Sequence, residues 1–161
     1  MMNDQSIRLD RMRFTKNTTS SRLVLLAILF DAIYFVSLYK INVEYYYNMM
    51  MGASILYNLV FMLAAFLASE GVKNYKQSFS GVLCVLGVLQ IVRIFILPVP
   101  AHQTTVSVGG AELLAMNDGQ FVRSVIYLVA SAACLFVAAV VNFTKSRALK
   151  AHIAGLEGQK A

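Results

Sequence analysis

Four long apolar runs dominate the chain. They cover about Leu23–Tyr39, Met49–Ala68, Phe79–Leu97 and Phe121–Phe143. Each holds about 17–23 residues, so at a rise of 1.5 Å per residue each can cross a ~30 Å hydrocarbon core. The first is the shortest and crosses only if the bilayer thins or its ends snorkel. No proline interrupts a run. Pro98 and Pro100 follow the third, where they are expected to end it. The pattern predicts an all-α, polytopic membrane protein with four transmembrane helices in a bundle. The expected division is a basic N-terminal segment over 1–22, the bundle over 23–143 and a basic amphipathic tail over 144–161.

The segments between the runs carry their own patterns. In the first 22 residues, Ile7, Leu9, Met12 and Phe14 give a weak apolar side to a basic stretch, which reads either as a surface-lying segment or as a solvated tail. The outer loop, 98–120, exceeds the usual connection length. Within it, Thr104 to Val108, the Gly109-Gly110 pair and Ala111 to Met116 spell a short hairpin. Asn117, Asp118 and Gly119 supply a stop and an N-cap for the last span. Beyond that span Leu149, Ile153 and Leu156 recur at helical spacing between Lys145, Arg147 and Lys150. Gly155 and Gly158 are expected to fray that helix. Its apolar side suits a membrane surface or a partner.

Composition agrees: of 161 residues, 58% are hydrophobic and only 14% charged, against ~45–50% and about 25% in soluble domains. The net charge of +6 flanks the apolar runs and forms no basic stripe interleaved with aromatics, so it excludes nucleic acid as the expected partner. Its placement sets an orientation instead. With the N-terminus cytoplasmic, the inner segments hold most of the basic residues, from Arg8 and Arg22 through Lys73 and Lys76 to Lys145, Arg147 and Lys150. Lys40 alone is left outside, with Arg123 at the edge of the fourth span. Both termini are therefore expected inside. Tyr39, Tyr45, Tyr46 and Tyr47 mark the outer interface, and Tyr75, Phe79 and Phe143 the inner one. The first run shows no small-x-small cleavage site close behind it and reads as a retained span. The Asn-x-Thr matches at Asn17 and Asn142 fall on the cytoplasmic side, where they would not be glycosylated.

Asp31 is the most informative residue. It lies mid-span, where an ionised carboxylate costs roughly 2.5–3.5 kcal/mol on insertion scales. It must face the protein interior, paired or protonated, with Ala27 and Tyr34 on its face. Arg93, in the outer half of the third span, is the natural partner. The two differ in depth by about 5 Å, which a guanidinium stem can close. The alternative is that Arg93 snorkels to the outer interface. Asn58 sits mid-span in the second helix, with Ser54 one turn away. Gln90 and Gly87 precede Arg93 by one and two turns, and Arg123, Tyr127, Ala130 and Cys134 share a face of the fourth. Two readings follow. Each stripe can be a helix–helix contact, or Asp31, Asn58, Gln90, Arg93, Arg123 and Tyr127 can together line a polar cavity open to the outer side, with Tyr34 beside Asp31 completing an intramembrane polar site.

No catalytic, cofactor or metal motif appears. Cys84 and Cys134 lie in apolar runs without ligand spacing, His102 and His152 fall on opposite sides of the membrane, and no serine has a nearby base. His102 reads as a solvated loop residue. The leading expectation is a small non-enzymatic membrane subunit or accessory protein of a transport or secretion complex, in a bacterial plasma membrane. It would associate with itself or another membrane protein through the small-residue run Ala130–Cys134 of the fourth span. The runner-up is an oligomeric small transporter or channel with Asp31 as its proton- or ion-responsive group. A membrane-embedded enzyme acting on a lipid or quinone comes third, for want of a catalytic set.

Overall fold

The computed structural model describes residues 4–38 and 49–158. A short helix, α1 (Asp4–Met12), precedes three long ones, α2 (Thr18–Leu38), α3 (Met49–Lys73) and α4 (Ser78–Ile96). A single turn of helix, α5 (Pro98–Gln103), leads into strands β1 (Thr105–Val108) and β2 (Ala111–Leu114). The chain closes on α6 (Asp118–Gly158). Lys40 and the tyrosine belt at 39 and 45–47 lie outside the described residues.

The helix boundaries follow local chemistry. Asn17 caps α2, its Oδ1 accepting from the backbone of Ser20 at 3.5 Å. The helix thus begins at Thr18, ahead of the apolar run, and draws part of the expected tail into the span. At the start of α6 the cap is reciprocal: Asn117 Oδ1 accepts from Gln120 N at 2.9 Å, and Gln120 Oε1 accepts from Asn117 N at 3.1 Å. Pro98 ends α4 and also opens α5, because a proline at the first helical position gives up an N–H that had no partner there. The prolines therefore re-aim the chain instead of releasing it into a loop. The hairpin pairs Thr105 with Leu114 and Val108 with Ala111. Its two-residue turn needs positive φ twice, which Gly109 (62°) and Gly110 (86°) provide. The tail helix continues through Gly155 to Gly158; its preceding turns outweigh the helix penalty of one glycine, about 1 kcal/mol.

Four helices are long and apolar enough to cross a membrane, the organisation of a multi-pass membrane protein. Their outward faces agree. Leu29, Val36, Leu56, Leu63, Phe66, Val85, Phe95 and Val140 are all more than half exposed or close to it, a surface that water would not tolerate and lipid does. Ser21 of α2 meets Ser69 of α3, and Asn142 of α6 meets Asn17 and Ser80. The helices therefore alternate in direction, with a basic end near the termini and a hairpin end opposite. Two apolar clusters form the interior. One, toward the basic end, is built on Val24, Phe61, Leu83 and Leu135; the other, toward the hairpin, on Tyr34, Leu97, Met116 and Leu128.

Three side-chain placements differ from expectation. His102 is only partly solvated: its ring stacks on Phe121 at 4.5 Å, and Nδ1 donates to the Met116 carbonyl at 3.2 Å. The apolar side of the tail is partly covered within the chain, since α1 packs on α6 and His152 Nε2 lies 3.4 Å from Asp10 Oδ1. In the small-residue run, Ser131 and Ala132 are buried against this chain's own helices while Ala133 is exposed. A helix turns 100° per residue, so a run that is small on all sides spends part of it on its own core.

Candidate functional site

Between the two apolar clusters lies a polar layer built from all four long helices. Asp31 (0% exposed) projects from α2 and Arg93 (4%) from α4. Arg93 Nη1 donates to Asp31 Oδ1 at 2.8 Å. Gln90, one turn earlier on the same face of α4, donates through Nε2 to the same Oδ1 at 2.9 Å and to Ser131 Oγ of α6 at 3.3 Å. Ser131 in turn donates to the Ala27 carbonyl of α2 at 3.0 Å. The second arm of the guanidinium reaches α3, where Nη2 donates to Asn58 Oδ1 at 2.9 Å. Its planar faces lie against two rings, with Cζ 4.6 Å from the Tyr34 centroid and 4.8 Å from that of Tyr57.

The electrostatics explain why these types occur together. One positive and one negative group in contact leave no net buried charge, which is the condition for keeping either in hydrocarbon. Arginine suits the place better than lysine, since its fork serves two acceptors on two helices while its faces stack on aromatics. The layer is not saturated. Asp31 Oδ2, Tyr34 Oη, Tyr57 Oη, Asn58 Nδ2 and Gln90 Oε1 are buried without a hydrogen-bond partner among the described residues. Beside it, a cavity of about 190 Å3 between α3 and α4 is lined by Ser54, Tyr57, Arg93 and apolar neighbours.

The structure brings together five of the seven residues singled out in the sequence: Asp31, Tyr34, Asn58, Gln90 and Arg93. Arg123 and Tyr127 stand apart. Arg123 is exposed and its Nε donates to the Gly119 carbonyl at 3.0 Å; with Tyr127 it borders a separate cleft of about 180 Å3 near Ile33 and Ser37. The space they border is apart from the one beside Arg93 and Tyr57. The face of α6 turned inward is that of Ser124, Leu128, Ser131 and Leu135, where small and apolar groups allow α2 and α4 to approach. Two members, Tyr57 and Ser131, were not legible as site residues.

A second polar cluster lies at the basic end. Asn142 Nδ2 donates to the Lys76 carbonyl at 3.1 Å and to Ser80 Oγ at 2.9 Å, and its Oδ1 accepts from Asn17 Nδ2 at 3.2 Å. Both asparagines are buried, so the two Asn-x-Thr matches are packing residues. Among the described residues, no group of three or more His, Cys, Asp or Glu could hold a metal ion.

No protein-family model, curated protein or solved structure matches this chain.

Proposed function

We propose that the chain is a small non-enzymatic subunit or accessory protein of a membrane transport or secretion complex. It forms a four-helix bundle in a bacterial plasma membrane, with both termini cytoplasmic. The observation that carries the reading is the Asp31–Arg93 pair. The charged groups are buried, and the hydrogen bonds of Arg93, Gln90 and Ser131 tie each long helix to another. Such a layer fixes the register of the helices in lipid, where no hydrophobic effect drives them together. The basic flanks support the orientation. Ala133, exposed between Val129 and Val137 on the outward side of α6, offers a close-approach point for another subunit or a second copy.

One observation favours the runner-up, a small oligomeric transporter or channel. Asp31 Oδ2 is a buried acceptor without a donor among the described residues, and a proton or a cation would satisfy it. Affinity purification of the full chain in mild detergent, with identification of co-purifying membrane proteins, tests the leading reading. A stoichiometric partner is expected. A monodisperse monomer in native-like nanodiscs, with no partner recovered, would overturn it.

A further inference from the structure

A groove of about 650 Å3 runs between the basic-end parts of α4 and α6. Its floor is Gly81, Cys84, Ala139, Val140 and Phe143, and its rim is Gln77, Ser78 and Lys150. Missing bulk creates it: a Cβ built on Gly81 would meet nothing within 4 Å. At the rim, Lys150 Nζ donates to Gln77 Oε1 at 3.1 Å, which holds the ammonium over the opening with donors to spare.

We propose that this groove binds an anionic phospholipid of the leaflet at the basic end. One acyl chain lies on the apolar floor, and the phosphate meets Lys150 at the rim. Three features fit this occupant together. The groove opens on the lipid-facing side of two spans, so a hydrocarbon chain is its natural filling. Phe143 stands at the basic-end edge of the core and Lys150 about 10 Å beyond it along α6 at 1.5 Å per residue, with its Nζ on Gln77, one residue ahead of α4, at headgroup level. The same end carries Lys73, Lys76, Lys145 and Arg147, with Glu70 already paired to Lys73. That surplus favours a headgroup with net negative charge over a zwitterionic one. A water-soluble phosphate would use the rim and leave the floor unfilled.

The test is native mass spectrometry of the full-length protein in mild detergent, incubated with dioleoyl phosphatidylglycerol or dioleoyl phosphatidylcholine. The wild type should retain the phosphatidylglycerol preferentially. Lys150→Gln, at an exposed position, should reduce that retention about fivefold, the effect of one cation near a membrane surface. Gly81→Trp should abolish retention by filling the floor. Cys84→Phe makes the same test should the tryptophan variant fail to fold. Excess glycerol 1-phosphate should not displace the lipid. Equal retention of the two lipids by the wild type, full retention by Lys150→Gln or by a folded floor-filling variant, or displacement by glycerol 1-phosphate would each overturn the proposal.

Discussion

Replacing Arg93 by methionine keeps the apolar stem of the side chain and removes the guanidinium. The structure shows what is lost. The 2.8 Å bond to Asp31 and the 2.9 Å bond to Asn58 go, and so does the stacking between Tyr34 and Tyr57. Hydrogen bonds between helices in a bilayer average only about 0.6 kcal/mol each, so two of them account for about 1 kcal/mol. A desolvated cation–π contact adds on the order of 2 kcal/mol. The larger consequence is the stranded carboxylate of Asp31, since breaking a buried pair from one side typically costs about 3–5 kcal/mol. Asp31→Asn should cost at least as much: asparagine keeps an oxygen for Arg93 and Gln90, but the guanidinium, which cannot lose its proton, is left buried without a counter-charge. The combined Asp31→Asn, Arg93→Met variant strands no charge. Its cost should fall short of the sum of the singles by about 2–3 kcal/mol, within the range seen for contacting groups. Reversible unfolding in bicelles, followed for the four proteins of the cycle, measures this directly. Additivity to within about 0.5 kcal/mol would refute the clamp, because groups that do not interact behave that way.

Other expected outcomes are independent of that cycle. Gly71→Ala should destabilise by about 1–3 kcal/mol, since the new Cβ would sit 2.4 Å from the Phe79 ring; Phe79→Ala in the same chain should recover most of it in the same unfolding assay. Asn142→Ala should cost about 1–3 kcal/mol through the partners it leaves unsatisfied, whereas the exposed Thr144→Ala should stay within about 0.5 kcal/mol of wild type. Ala132→Leu should lower the stability of the isolated chain by overpacking, while Ala133→Leu should leave it unchanged and weaken co-purification of a partner. In a background lacking Cys84 and Cys134, a cysteine at position 110 should react with an impermeant thiol reagent applied outside, and one at position 74 should not; the reverse pattern would invert the topology.

The sequence made the long helices legible because span length and apolar content report on lipid directly. It made Asp31 legible because a mid-span carboxylate has few acceptable surroundings, and Arg93 because few cations match its depth. The hairpin was legible from Gly109-Gly110, since two consecutive positive φ angles admit little else. Rotation about the helix axis was not legible. No single hydrophobic stripe marked the inner face of α6, and Arg123 and Tyr127, which share one side of it, border a different cleft from the one beside Arg93. Ser131 and Tyr57 were hidden for the same reason: a serine in a run of alanines and a tyrosine beside an asparagine carry no sign of which neighbour they will meet. Asn17 and Asn142 lie far apart in the chain, and only the alternation of the helices brings them to 3.2 Å.

On the proposal made above, the buried Asp31–Arg93 layer clamps the helices and conducts nothing. Proton flux into liposomes reconstituted with the purified chain, driven by a potassium diffusion potential, tests it most directly. The clamp account predicts flux no greater than in protein-free liposomes, for the wild type and for Asp31→Asn alike. A wild-type flux well above that background, lost in Asp31→Asn while the variant remains folded, would contradict it.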